Sequence, residues 1–273
     1  MTQALAAGAA QRERKHATNP HGSDVSMTTT VPAIPLVAPS RMPRAAKAGL
    51  ALLGIALGAV PAATAQRADP DPHMAPIAQY LIPDRSAEIA LARSAAPAAI
   101  SRDATIMVLG RAGFEPAVEG SNGFVCLVER SWDSPFDSPG FWNARIRGPA
   151  CYNPAAARSV LPVIYARTRL ALAGQSRDQI LDSIRAAFAA HALPSPAPGS
   201  MSYMLSKLQR IGDQAVRWLP HLMFELPRTA DGDWGANLSG SPILLHQDTL
   251  NPITTEFLIP VGRWSDGTPA PSH

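Results

Sequence analysis

Two histidines, His221 and His246, are the residues of this 273-residue chain whose type and setting best suit chemistry. An imidazole ring takes up and releases protons near neutral pH, so either side chain could act as a general base beside a carboxylate. Glu129 and Asp133, from the stretch "VERSWDSPF", are the acidic candidates to act with them. This set predicts a hydrolase centre that is assembled from distant parts of the chain. The alternative for each histidine is an ordinary hydrogen-bonded residue of a strand.

A second pairing concerns metal binding. His246 and Asp248, in "LLHQD", would lie on one face of a strand about 7 Å apart, close enough to meet at a ligand or metal ion. His221 and Glu225 would also share a strand face, but about 13 Å apart, which excludes a common metal ion. The sequence therefore favours His246 and Asp248, with a distant third ligand, as a weaker metal-site hypothesis. No cofactor is evident, because the phosphate-binding loop, the dinucleotide fingerprint and the His-Glu-x-x-His motif are all missing from the sequence.

The most unusual stretch is "RSWDSPFDSPGFWNARIRGPA", residues 130–150, where aromatic side chains alternate with charged ones. One interpretation is a ligand pocket with aromatic walls and an arginine fork for an anionic or sugar-like ligand. The residues that would bind this ligand are Trp132, Phe136, Trp142, Arg145 and Arg147. The other interpretation is a loop that packs on its own aromatic side chains, with ion pairs at its rim.

The chain has two cysteines, Cys126 and Cys151, which bracket this loop. Two cysteines in an exported protein predict a disulfide between them, and the alternative is two buried free thiols. A catalytic thiol is disfavoured because the sequence has no Cys-x-x-Cys motif.

The helices and strands that must position these residues can be predicted from hydrophobic periodicity and from helix-breaking residues. We expect a helix over about 85–95 with Ser86 as its N-cap, a helix from Pro154 to Gly174 interrupted at Pro162, and a helix over 176–193 that opens with a Ser176/Gln179 capping box. Strands are expected over 104–110, 123–132, 201–206, 221–227, 241–247 and 255–264. Strands at both ends with helices between them predict a single α+β domain, with a mostly antiparallel sheet and helices packed on one face.

Several segments resemble a family of secreted bacterial proteins to which no activity is assigned. They are "GFVCLVERSWDSPF", "FWNARIRGPACYNP", "PHLMFELP" and "GRWSDGTPAP". The resemblance covers most of the chain after residue 65. It implies export and a single domain, and it adds no mechanism.

Residues 41–65 have the three parts of a secretory signal. Basic residues come first, thirteen uncharged and mostly apolar residues follow at 48–60, and "ATA" precedes a cleavage site between Ala65 and Gln66. The apolar run is shorter than the roughly 20 residues that a membrane span needs. We expect residues 1–40 to be a disordered leader, or to result from a start codon assigned too early. A signal peptide (41–65), a flexible tail (66–80) and one α+β domain (81–273) should follow.

The charge of the chain changes sign once the leader is set aside. Residues 1–65 hold six of the 24 basic and two of the 21 acidic side chains, so residues 66–273 carry a net charge of −1. This balance gives no electrostatic case for nucleic acid or an anionic membrane as a partner. We expect a periplasmic or secreted domain that binds a small molecule or an envelope protein and has no membrane span after cleavage. The alternatives are an envelope or secreted hydrolase with a histidine base and a carboxylate, and a metal-binding protein.

Overall fold

The computed structural model of this chain describes residues 73–210, 219–246, 248–250 and 253–271. Within them, the helices are α1 (Arg85–Arg93), α2 (Ala98–Ser101), α3 (Pro154–Ser159), α4 (Leu161–Leu172) and α5 (Arg177–Ala189). The strands are β1 (Thr105–Gly110), β2 (Gly113–Val118), β3 (Val125–Glu129), β4 (Gly148–Tyr152), β5 (Met201–Met204), β6 (His221–Pro227), β7 (Leu244–His246) and β8 (Thr254–Pro260). The expected signal peptide at 41–65, with its cleavage site, lies outside the described residues.

All eight strands form one sheet in the order β2-β1-β3-β4-β5-β6-β8-β7. The pairing of β1 with β3 is parallel and every other neighbouring pair is antiparallel. This arrangement confirms the α+β class with a single, mostly antiparallel sheet. The sequence missed β2 and β4, because β2 contains Pro116 and β4 is the short run "GPACY" at the end of the unusual loop.

The two faces of the sheet build separate cores. Side chains alternate along a strand, so Cys126 and Leu127 point to opposite faces. On the Cys126 face, α1 contributes Ala92 and Ile89 to a core that contains Ile106 and Cys151. On the Leu127 face, α3 and α4 pack against Ala150, Tyr152 and Met204. Helices therefore cover both faces of the sheet, whereas we expected them on one face only. The reason is that the chain forms helices both before β1 and after β4.

Local signals in the sequence set the helix boundaries. α3 ends at Ser159 and α4 begins at Leu161, so the helix is split before Pro162, as predicted from the missing N–H of proline. The capping box at the start of α5 is confirmed: Ser176 accepts a hydrogen bond from the Gln179 backbone, and the Gln179 side chain accepts one in return. The N-cap of α1 is Asp84, not Ser86. The Asp84 carboxylate accepts hydrogen bonds from two backbone N–H groups of the first turn.

Cys126 and Cys151 lie directly opposite each other on β3 and β4, and their sulfur atoms are bonded at 2.00 Å. The bond joins two strands that are already paired, on the face opposite to α3 and α4. It fixes the base of the 130–150 loop.

The segment before α1 is anchored, although residues 66–80 were expected to form a flexible tail. Ile77–Gln79 forms a 3-10 turn, and the Tyr80 side chain is fully buried. The Tyr80 hydroxyl donates a hydrogen bond to the Trp142 carbonyl at 2.8 Å. The part of this expected tail before residue 73 lies outside the described residues.

Candidate functional site

A cavity of about 390 Å³ lies on the sheet face that α3 and α4 cover. Its floor comes from β3 to β8, and its roof comes from α3, α4, α5 and the 130–150 loop. The ionisable side chains that line it are Glu129, Arg130, Asp133, Asp137, Tyr152, Arg167, Arg210, His221, Glu225, His246, Asp248 and Glu256. The volume falls within the range that pockets for small molecules occupy.

Strand register places three of these side chains in a row. Glu225 on β6 pairs with Glu256 on β8, and Glu256 pairs with His246 on β7. Residues directly opposite on neighbouring strands point to the same face with Cβ atoms about 5 Å apart. Accordingly, Nδ1 of His246 lies 2.9 Å from Oε2 of Glu256, and the Glu225 and Glu256 carboxyl groups are hydrogen-bonded to each other.

The pairing with Glu256 changes the protonation of His246. Burial by itself would lower the pKa of His246, but the hydrogen bond to Glu256 and the nearby negative charges outweigh burial and raise it above 6.5. A carboxylate that holds Nδ1–H leaves Nε2 as the nitrogen through which the ring exchanges a proton. The pair has the geometry of a histidine base with an orienting carboxylate.

Glu129, at the end of β3, is the second group with altered protonation. Burial raises its pKa to about 8, and the charges of Asp133 and Glu256 act in the same direction. The Tyr152 hydroxyl donates a hydrogen bond to Oε1 of Glu129, which opposes this rise. Glu129 is therefore largely protonated at neutral pH, as a general acid must be.

Glu225 is held neutral as well. Its pKa is raised well above 4.5 by burial, by the charges of Glu256 and Glu129, and by the hydrogen bond with Glu256. A protonated Glu225 donates to the Glu256 carboxylate, which is also in contact with His246. The three residues thus form one hydrogen-bonded chain.

His221, the other histidine candidate, differs from His246 in its protonation. Burial lowers its pKa below 6.5, so the ring is neutral at pH 7. Its Nδ1 lies 2.8 Å from the Leu219 carbonyl oxygen. Because a carbonyl only accepts, Nδ1 carries the proton.

Asp133 and Arg167 form the side of the cavity below the loop. Burial raises the pKa of Asp133 to about 6, against the opposing effect of the Arg167 charge. The Arg167 guanidinium lies 4.2 Å from the centre of the Phe136 ring and donates to the Ser134 carbonyl. Arg167 thus joins α4 to the loop, while Asp133 receives a hydrogen bond from the Arg130 backbone at 3.1 Å.

The aromatic side chains of the loop do not wall the cavity. Trp132, Phe136, Phe141 and Trp142 are all buried, and none is among the lining residues. Phe136 stacks on Phe141, which meets Trp142 edge to face. This packing favours the self-packed loop over the aromatic ligand pocket that the sequence also allowed.

The two arginines of the expected fork lie apart from the cavity lining. Arg145 is exposed on the surface. Arg147 donates to the carbonyl groups of Ala144, Ile146 and Gln79, so it supports the loop backbone. The loop contributes Asp133 and Asp137 to the cavity instead.

His246 and Asp248 both line the cavity, but the Asp248 carboxylate is engaged with backbone. Its Oδ2 accepts from Phe136 N at 2.8 Å and its Oδ1 from Leu250 N at 3.1 Å. Across the described residues, no group of three or more His, Cys, Asp or Glu side chains is placed to hold a metal ion. Asp248 thereby ties the segment after β7 to the 130–150 loop.

All four residues that the sequence singled out for catalysis, His221, His246, Glu129 and Asp133, line the same cavity. Sequence reasoning missed Glu256 and Tyr152. Glu256 is the polar residue of an alternating strand pattern in "TEFLIP". Its pairing with His246 became evident only from the register of β7 and β8. Tyr152 belongs to β4, which was not predicted.

Comparison with family models, with characterised proteins and with solved structures finds no match to this chain. Among the described helices, none combines the length and the apolar composition that a membrane crossing requires.

Proposed function

We propose that this protein is an exported hydrolase that works by general acid–base catalysis. His246, oriented by Glu256, removes a proton from the attacking water. Glu129, held protonated, donates a proton to the leaving group. The observation that carries the proposal is the 2.9 Å contact between His246 and Glu256 in the same cavity as an acid with a pKa of about 8.

The proposed roles require complementary protonation states of His246 and Glu129. A base and an acid can act in one step only if one is deprotonated while the other is protonated. The charge of Glu256 is felt at both residues: it raises the pKa of His246 and contributes to raising that of Glu129. Titratable groups whose pKa values are shifted by burial and by a specific charged neighbour are typical of catalytic sites.

Protonation also defines the expected pH dependence. Activity increases as His246 loses its proton, at a pH above 6.5, and decreases as Glu129 loses its proton near pH 8. The profile of kcat/KM against pH is therefore a bell with its acidic limb above pH 6.5 and its alkaline limb near pH 8.

The test is turnover of a panel of chromogenic substrates: 4-nitrophenyl glycosides, esters and phosphate, and amino-acid 4-nitroanilides. We expect His246→Asn and Glu129→Gln each to lower kcat by about 10²–10⁴-fold. His191→Asn and Glu119→Gln are the matched controls, since both residues are exposed and neither lines the cavity. Asparagine also tolerates the positive φ of 54° at His191.

Two results would contradict the proposal. One is the absence of turnover across the whole panel by folded, disulfide-bonded protein. The other is turnover that both cavity variants retain. If a ligand raises the melting temperature without being turned over, the chain is a binding domain, which was the first expectation from the sequence.

Export is supported by the signal-like segment at 41–65 and by the disulfide between Cys126 and Cys151. Disulfides form and persist in oxidising compartments such as the periplasm. The measurement is the mass of the chain recovered from a bacterial periplasm. A chain that begins at Gln66 and lacks two hydrogens supports export and oxidation together, whereas a chain that retains residues 1–65 contradicts cleavage.

A further inference from the structure

Building on the hydrolase proposed above, we propose that the bond it cleaves is a glycosidic C–O bond and that its substrate is a glycoside of neutral sugars. The inference comes from the sign of the charges around the cavity. It also comes from the division of the cavity into a carboxyl-rich side and an apolar side.

The charge that develops in the transition state distinguishes the classes of hydrolysis. Ester, amide and phosphate hydrolysis build negative charge on oxygen, which hydrogen-bond donors and cations stabilise. Glycosidic cleavage builds positive charge on the sugar ring, which carboxylates stabilise. Six carboxyl groups face this cavity from the described part of the chain, against three guanidinium groups. Two of the six, Glu129 and Glu225, are held neutral, which leaves four that can carry negative charge.

Two of the guanidinium groups are also engaged elsewhere, although Nε of Arg167 is buried without a hydrogen-bond partner among the described residues. Arg130 donates to Glu88 and to the carbonyl groups of Tyr80 and Val128. Arg167 stacks on Phe136 and donates to the Ser134 carbonyl. Arg210 is exposed, and its backbone pairs with that of Arg147. Because Glu88 neutralises Arg130, the four carboxyl groups that can be charged outnumber the two remaining guanidinium groups, and this balance disfavours an anionic substrate.

The cavity offers two kinds of surface. The carboxyl groups of Glu129, Glu225 and Glu256 stand on the sheet floor. Opposite them, α4 contributes Val163 and Ile164, and Val160 is its N-cap residue. A sugar ring presents hydroxyl groups at its edge and C–H groups on its faces. Carboxyl oxygens accept hydrogen bonds from hydroxyl groups, and aliphatic side chains pack against C–H groups.

The reaction balances with these groups alone. As the bond between the anomeric carbon and the glycosidic oxygen breaks, the Glu129 carboxyl proton passes to that oxygen. A water oxygen bonds to the anomeric carbon, and its proton passes to His246. The products are a free sugar and an alcohol. A proton returned from His246 to Glu129 through solvent restores both groups.

The experiment compares leaving groups in the wild type and in Glu129→Gln. Phenyl glycosides need a proton on the departing oxygen, while 2,4-dinitrophenyl glycosides depart readily without one. We expect Glu129→Gln to lower kcat on phenyl glycosides by about 10²–10⁴-fold and on 2,4-dinitrophenyl glycosides by less than about tenfold. Glucosides, galactosides, mannosides and N-acetylglucosaminides of both anomers form the panel, and Glu119→Gln is the control.

The outcomes separate this inference from the proposed function. Turnover confined to esters, anilides or phosphates overturns the glycoside inference and leaves the hydrolase proposal intact. An equal loss on both leaving groups also overturns it, because Glu129 would then not protonate the departing oxygen. No turnover of any substrate class overturns both.

Discussion

The phenol of Tyr152 donates a hydrogen bond to Oε1 of Glu129 across the floor of the cavity. The two residues stand on neighbouring strands, and the directly opposed partners are Tyr152 with Val125 and Glu129 with Gly148. Their side chains therefore reach towards each other along the strands. The contact links the proposed acid to a residue that helps to set its pKa.

The Tyr152→Phe variant tests that link. The hydrogen bond from Tyr152 lowers the pKa of Glu129, so its loss should raise this pKa further above about 8. We expect a rise of about one unit, the size of one buried hydrogen bond. Carbon-13 NMR titration of the Glu129 carboxyl group measures it directly, and the alkaline limb of kcat/KM should move the same way. An unchanged or lowered pKa contradicts the assignment.

Glu129→Gln should change how stability depends on pH. The folded state raises the pKa of Glu129 from 4.5 to about 8, so between these values it holds a proton that the unfolded chain releases. Wild-type stability should therefore decline as pH rises through this window. The variant lacks this decline, and its gain over the wild type by pH 8 is on the order of a few kcal/mol.

Urea unfolding across this pH window measures the difference. Glu119→Gln, at an exposed position, is the control and should follow the wild type. Parallel curves for the wild type and Glu129→Gln would show that Glu129 is ionised in the folded protein at neutral pH.

Replacing both Cys126 and Cys151 by serine should destabilise the protein without affecting the cavity. The bond closes a loop with a sequence separation of 25. Constraint of the unfolded chain by such a loop stabilises by about 3.5 kcal/mol. Because both sulfur atoms lie on the opposite face of the sheet, kcat of the folded fraction should stay unchanged. A fall in kcat at full folding would show that the bond supports the site.

Glu88 and Arg130 form a buried ion pair at 2.7 Å, whereas Arg85 and Glu115 form an exposed one at 2.6 Å. Glu88→Gln leaves the buried guanidinium without its counter-charge, and we expect a loss of about 3–5 kcal/mol. Glu115→Gln, the matched control, should cost at most about 1 kcal/mol. The two free energies of unfolding, measured by urea denaturation, check this difference. Similar losses would mean that Arg130 is not desolvated.

The helices could be predicted because their signals are local. Pro162 lacks the N–H that a continuous helix needs, and Ser176 and Gln179 cap each other within one turn. β4 escaped prediction for the opposite reason. Its run "GPACY" has no marked alternation, and it is fully buried by α3 and α4 on one face and by the Cys126 core on the other.

The sequence by itself determined the chemistry that was available: two histidines within strands, carboxylates beside the unusual loop, and a cysteine pair. Tertiary structure decided which of them meet. Glu256 is opposite His246 only because β8 lies between β6 and β7, an order that follows from long-range pairing rather than local pattern. Burial then made an ordinary glutamate, Glu129, an acid with a pKa of about 8, since desolvation exists only in the folded chain.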